Sequence, residues 1–254
     1  MRFGVCAPIS EAAMMAEIGF DYLEVGASGL AAMTDEEFEA FCAENAAAPI
    51  HAEAANVLFP GSIRLTGEEA DLTHITLYIE KILSRLSRAG VQIAVFGSSG
   101  SRKVPEGFPM EKAWAQLVKV GKILAQTAEK YGVTIALEPL RKAETNMINL
   151  QSEGAALVKE VDHPHFKLLC DYYHLSQEGG TAADVEVCGE LLTHIHIAKP
   201  DDRKTMYPGD GCDYAGFFSA LRRAGYDGRI SFEGDAGAEK SKTLPAALAV
   251  MKQA

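Results

Sequence analysis

The chain lacks the sequence features of membrane, secreted and nucleic-acid-binding proteins. No stretch reaches the about 18 to 20 apolar residues that a transmembrane helix needs, so we expect no membrane partner. The N-terminus has no basic segment followed by a long apolar run, and the five widely spaced cysteines form no C-x-x-C pair. Both points favour a reducing, cytoplasmic location. Basic residues are scarce, with 24 Lys+Arg against 35 Asp+Glu and a net charge of −11. That charge repels phosphate backbones, so we expect no nucleic-acid partner.

Nothing in the chain marks a domain boundary. There is no linker rich in Pro or Ser, no low-complexity tract and no long block of like charge. The Gly- and Ser-rich segment 96–109 lacks both the G-x-x-x-x-G-K-[ST] and the G-x-G-x-x-G patterns, which indicates a pocket-forming loop rather than a nucleotide site. A length of 254 residues fits one (β/α)8 barrel, which typically uses about 250 residues. We therefore expect residues 1–254 to form a single domain.

Short β-type runs alternate with longer helical stretches from end to end, a pattern typical of parallel strands joined by helices. The predicted strands cover residues 2–7, 22–27, 49–54, 91–98, 133–140, 166–173, 191–198 and 228–234. Thr34 and Glu37 form a capping-box pattern at a predicted helix start. Eight uninterrupted βα units predict an α/β protein with the (β/α)8 TIM barrel fold. An open doubly wound sheet is the alternative.

Four consecutive predicted strands end in an inward-facing polar residue. Alternate residues of a strand face opposite ways, so His196 faces the barrel interior while its apolar neighbours face the helices. The same alternation turns Glu138, Asp171 and Glu233 inward. Three carboxylates and an imidazole at one barrel mouth need a compensating cation. This oxygen-rich set suits Mn²⁺ or Mg²⁺, with Co²⁺, Fe²⁺ and Zn²⁺ as alternatives. Separate capping or ion-pairing roles at the strand ends are the other interpretation.

The same strand ends carry recognisable motifs. They are ALEPL at 136–140, CDYYH at 170–174, HIHIA at 194–198 and SFEG at 231–234. In this order and spacing they resemble the sugar phosphate isomerase/epimerase family, the xylose isomerase-like TIM barrels that include ketose 3-epimerases. The resemblance implies that Glu138, Asp171, His196 and Glu233 are metal ligands. It also implies that Glu138 and Glu233 are the catalytic acid/base pair.

The resemblance further implies that His174, Glu144 and Arg203 bind the substrate. Two more residues are candidates for the pocket wall. Glu24 ends the second predicted strand with inward parity, and His51 lies in the third, where a structural role is the equal alternative. The chain departs from the family at Leu140-Arg141-Lys142, where epimerases have Leu-Asn-Arg, and this departure leaves the sugar open.

The function implied by the resemblance is a metal-dependent epimerisation or isomerisation of a sugar, by proton transfer next to a carbonyl through a cis-enediolate. An inosose-type dehydratase on the same scaffold is the main alternative. An endonuclease IV-like abasic-site nuclease is disfavoured, because the D-x-H motif expected after the seventh strand reads Asp210-Gly211-Cys212. A non-catalytic barrel is disfavoured by the retention of both glutamates. The resemblance also implies a homo-oligomer, either a dimer or a tetramer.

Overall fold

The computed structural model describes residues 1–254 and shows eight parallel strands that close into one barrel, β1 to β8 in chain order. The strands are β1 (Arg2–Cys6), β2 (Tyr22–Gly26), β3 (Ala52–Asn56), β4 (Ile93–Phe96), β5 (Thr134–Leu137), β6 (Phe166–Asp171), β7 (Leu192–Ile197) and β8 (Arg229–Phe232). β1 closes the barrel on β8, with Gly4 paired to Ser231. The predicted (β/α)8 fold is confirmed, and the open sheet is excluded by this closure.

Helices join the strands on the outside of the barrel. They are α1 (Ala12–Ile18), α2 (Ala27–Ala32), α3 (Asp35–Ala47), α4 (Leu72–Arg88), α5 (Ser99–Arg102), α6 (Met110–Tyr131), α7 (Gln151–Val161), α8 (Tyr172–Gln177), α9 (Ala182–Val187), α10 (Tyr214–Arg223) and α11 (Lys240–Met251). The predicted capping box begins α3, since Thr34 Oγ1 accepts from the Glu37 N–H and Glu37 Oε2 accepts from the Thr34 N–H. No helix is both long enough and apolar enough to cross a membrane.

The third strand begins later than the sequence pattern predicts. It runs over Ala52–Asn56 rather than over residues 49–54. The Asn45 side chain explains the shift, because its Oδ1 accepts from the Ala52 N–H and its Nδ2 donates to the Ala89 carbonyl. These bonds hold the turn that precedes Ala52. As a result, Asn56 rather than Ala54 ends the strand at the barrel mouth.

The barrel interior is filled from its N-terminal end, which leaves only the C-terminal mouth for chemistry. The inward-facing apolar residues are Tyr22, Ala54, Ile93, Val95, Ala136 and Leu169. Gly4 makes room for Tyr22, since a Cβ at Gly4 would lie 2.3 Å from the tyrosine ring. Below Tyr22, the guanidinium groups of Arg2 and Arg229 both bind Glu53 and close the N-terminal end. This arrangement matches the usual division of the fold, in which loops after the strands carry the site.

Candidate metal centre

Four side chains from adjacent strand ends meet at the C-terminal mouth. Asp171 ends β6 and His196 lies in β7, while Glu138 and Glu233 directly follow β5 and β8. One donor atom of each residue lies within 4.8 Å of the donor atoms of the other three. We call these four residues the carboxylate–histidine cluster. Their convergence follows from the inward parity of four neighbouring strands and from their positions at or next to the C-terminal ends of those strands.

Hydrogen bonds orient the members of the cluster. His196 Nδ1 lies 3.2 Å from Glu138 Oε1 and 3.0 Å from Glu233 Oε2. The guanidinium of Arg203 donates to Glu233 Oε2 at 2.6 Å. On the other side of the same carboxylate, Asn56 Nδ2 donates to Glu233 Oε1 at 3.0 Å. Asp171 Oδ1 accepts from a backbone N–H of α8 at 2.8 Å, which leaves Oδ2 directed toward the cluster.

Burial and neighbouring charges shift the pKa values of all four residues of the cluster. Burial raises the pKa of Asp171 to about 6, although Arg203 opposes the shift. Burial also raises the pKa of Glu138. Burial alone would raise the pKa of Glu233, but the positive charges of His196 and Arg203 outweigh it and lower that pKa to about 2. The carboxylates around His196 outweigh its burial and raise its pKa well above the usual value.

The donor set fits a hard divalent cation. Three carboxylates and one imidazole nitrogen are available, a combination that suits Mn²⁺ or Mg²⁺ better than a structural zinc site rich in sulfur. The Nε2 atom of His196 is bound to Glu24, so Nδ1 is the nitrogen that faces the carboxylates. Gly97 leaves the space that Glu138 occupies, because a Cβ there would lie 2.1 Å from Glu138 Oε2. The cluster therefore could hold a metal ion.

The three residues predicted to bind substrate surround the cluster. His174 Nε2 lies 3.5 Å from Asp171 Oδ2 and has no hydrogen-bond partner, although it is buried. Glu144 Oε1 lies 3.8 Å from Arg203 Nη1 and 4.0 Å from His174 Nδ1. Arg203 Nη2 lies 2.6 Å from Glu233 Oε2, which places this arginine beside the cluster.

Sequence reasoning missed two groups near the site. The first is Arg141, which donates to Glu144 at 2.8 Å. The Arg141 guanidinium lies 5.0 Å from the centroid of the Tyr173 ring, and the Arg203 guanidinium lies 5.1 Å from it. Arg141 was visible only as a departure from the epimerase pattern. Asn56 was missed because the third strand was placed too early. With the observed bounds of β3, the alternation of side chains along the strand predicts that Asn56 faces the barrel interior at its mouth.

The expectations for Glu24 and His51 need correction. Glu24 lies in the middle of β2 with its side chain fully buried, and its two oxygens contact His194 and His196. It therefore sits below the carboxylate–histidine cluster and does not line the pocket. His51 precedes β3 at the N-terminal end of the barrel, where its exposed ring contacts the Asn45 carbonyl at 2.7 Å. The structure does not bring His51 to the site.

Comparisons with known proteins agree with this architecture. Residues 12–254 match the model of the xylose isomerase-like TIM barrel family. The 3-dehydro-D-guloside 4-epimerase of Escherichia coli (strain K12) is 30% identical over 63% of this chain and 63% of that protein. The L-ribulose 3-epimerase of Methylomonas sp. (strain DH-1) is 38% identical over 43% of this chain and 38% of that protein. The matches thus span less than two thirds of either relative.

Solved structures share the fold along the whole chain. The crystal structure of 3-keto-D-glucoside 4-epimerase from E. coli has a TM-score of 0.85 at 22% identity and covers 100% of both chains. The D-allulose 3-epimerase of Methylomonas sp., solved in complex with D-allulose, has a TM-score of 0.86 at 24% identity, covering 100% of this chain and 96% of that one. At these identities the likeness establishes the barrel.

Proposed function

The chain belongs to the xylose isomerase-like TIM barrel family, and on that premise we propose that it is a metal-dependent sugar epimerase. Its substrate would be a ketose or a keto-glycoside, in which a carbon next to the carbonyl is inverted. The observation that carries the proposal is the convergence of Glu138 and Glu233 on one nitrogen of His196. Two carboxylates at one cation site are what proton removal and redelivery require. The relatives named above are 3- and 4-epimerases, which supports this reaction class.

The proposed ligands are Glu138, Asp171, His196 and Glu233. A divalent cation bound there would supply Lewis acidity for the negative charge that develops on the substrate oxygens during proton removal. Mn²⁺ and Mg²⁺ are the proposed ions, because three of the four donors are hard carboxylates. The remaining steps belong to the side chains of the chain itself.

The two glutamates would move the proton. Arg203 donates to Glu233 Oε2 and stabilises it as a carboxylate, so Glu233 is the member of the pair that is present in the base form. Glu138 Oε1 lies beside the same nitrogen of His196, so Glu138 is the partner proposed to deliver the proton. Inversion requires the two groups to act on opposite faces of the substrate carbon, and the reverse reaction exchanges their roles.

Residues around the cluster would orient the substrate. The unpartnered, buried Nε2 of His174 is suited to bind a substrate hydroxyl, since a buried polar atom without a partner is costly. Glu144 and Arg203 supply an acceptor and a donor beside it. We propose a small-molecule sugar or sugar derivative rather than a nucleic acid as the partner, in keeping with the net charge of −11. A cytoplasmic location and a homo-oligomeric state remain part of the proposal.

The test is the identity of the product. The protein is stripped with EDTA, reloaded with Mg²⁺ or Mn²⁺, and incubated with a panel of ketoses and keto-glycosides, whose products are separated by chromatography. We expect an epimer of one substrate, formed only after metal is restored. Glu53→Gln, a matched change at the opposite end of the barrel, should leave product formation intact. An aldose product would indicate an isomerase and an unsaturated product a dehydratase. No product from a metal-loaded protein across the panel would refute the proposal.

A further inference from the structure

We propose that Glu24 is a positioning residue that fixes the ring of His196 and strengthens metal binding by the carboxylate–histidine cluster. The inference rests on the proposed function, since it concerns the same metal. Glu24 would act through the His196 side chain, whereas the sequence led us to expect that Glu24 contacts the substrate.

Both carboxylate oxygens of Glu24 are engaged by histidine side chains. Its side chain is fully buried in the barrel interior. Oε1 lies 2.8 Å from His196 Nε2, and Oε2 lies 2.7 Å from His194 Nε2. Both oxygens therefore have imidazole partners, one of which belongs to the proposed metal site. Through Oε1, Glu24 contacts a proposed metal ligand, His196.

The contact with Glu24 determines which nitrogen of His196 is available. If Nε2 carries the proton and donates it to Glu24 Oε1, then Nδ1 is unprotonated and free to bind a cation beside the carboxylates of Glu138 and Glu233. The opposite tautomer would place a proton on Nδ1 and prevent metal binding there. A carboxylate that accepts the second N–H of a metal-binding histidine also makes the ring more basic, and therefore a stronger ligand.

Other residues of the barrel interior fix the orientation of Glu24. His194 Nε2 lies 3.3 Å from Ser231 Oγ, and that hydroxyl lies 2.9 Å from the Tyr22 hydroxyl. A chain of polar contacts thus runs from Tyr22 in the barrel interior through Ser231, His194 and Glu24 to the site. These contacts restrict the orientation of the Glu24 carboxylate, while the Nδ1 atom of His194 has no partner.

The experiment measures Mn²⁺ affinity by titration calorimetry on the full chain, with wild type, Glu24→Gln, Glu24→Ala and Glu53→Gln compared. We expect Glu24→Ala to bind Mn²⁺ about 10- to 100-fold more weakly, the usual effect of losing the outer partner of a ligand histidine. Glu24→Gln should show a smaller loss, because its amide oxygen can still orient the ring but carries no charge. Glu53→Gln should bind like wild type, although it loses a carboxylate in the same barrel.

Glu24→Gln carries the test if Glu24→Ala fails to fold, because glutamine has nearly the same shape. Wild-type affinity in Glu24→Gln and in any folded Glu24→Ala would overturn the inference while leaving the proposed function intact. An equal loss of affinity in Glu53→Gln would also overturn it, since the effect would then come from general destabilisation of the barrel. Failure of the wild-type protein to bind Mn²⁺ or Mg²⁺ would overturn the proposed metal dependence itself, and the inference with it.

Discussion

Gly97 offers a sharp test of whether the position of Glu138 matters for function. A Cβ at residue 97 would lie 2.1 Å from Glu138 Oε2, whereas a Cβ essentially never approaches another atom more closely than 3.0 Å. In Gly97→Ala the carboxylate oxygen must therefore move by roughly 1 Å. Because the clash involves the tip of a side chain, rotation of Glu138 can relieve it. We expect a stability loss at or below the low end of the about 1 to 3 kcal/mol typical of overpacking.

The effect of Gly97→Ala on activity should be much larger than its effect on stability. A displacement of about 1 Å in a reacting group can lower the rate about 100-fold, which corresponds to about 2.7 kcal/mol in the activation free energy. The assays are kcat for the metal-saturated protein and the melting temperature. Gly26→Ala is the matched control, because Gly26 also lies at the end of a strand but a Cβ added there would have no other atom within 4 Å. Native kcat in Gly97→Ala, or an equal loss in Gly26→Ala, would refute the reasoning.

Three further changes test other parts of the structure. Arg203→Met should lower kcat/KM about 10- to 100-fold, since hydrogen bonds to charged groups contribute about 1.5 to 3 kcal/mol and Arg203 binds Glu233; unchanged steady-state kinetics would contradict this role. Removal of metal with EDTA should lower the melting temperature, and metal restored at about 100 times its dissociation constant should return about 2.7 kcal/mol; calorimetry that shows no shift would argue against the site. Arg85→Met should destabilise the fold by about 1 to 3 kcal/mol without altering kcat, because this buried arginine donates to the carbonyls of Leu30 and Met33; urea unfolding with a native midpoint would contradict that expectation.

The sequence pattern predicts the barrel and the cluster for the same physical reason. Eight strands with regular alternation define which side chains face inward, and the carboxyl ends of parallel strands meet at one mouth. Glu138, Asp171, His196 and Glu233 all have inward parity at strand ends, and the structure places their donor atoms within 4.8 Å of one another. Parity together with position at the end of each strand grouped these four residues.

Depth along the barrel axis was not predictable from parity. Glu24 and His194 face inward like the cluster residues, yet they lie below it, because the stagger between neighbouring strands determines depth and depends on the closed register. His51 and Asn56 show the related problem of strand bounds. β3 extends to residue 56, beyond the predicted bounds, which places Asn56 at the site and leaves His51 at the opposite end.

The central claim is that Glu138 and Glu233 move a proton next to a substrate carbonyl. Deuterium exchange tests this claim most directly. Proton NMR in D₂O follows the Mg²⁺-loaded protein with the sugar that it epimerises. Deuterium should appear on the carbon next to the carbonyl, and EDTA should stop its incorporation. Glu233→Gln should still bind the sugar but lose the exchange. Exchange at the native rate in Glu233→Gln, with metal and sugar bound, would contradict the account.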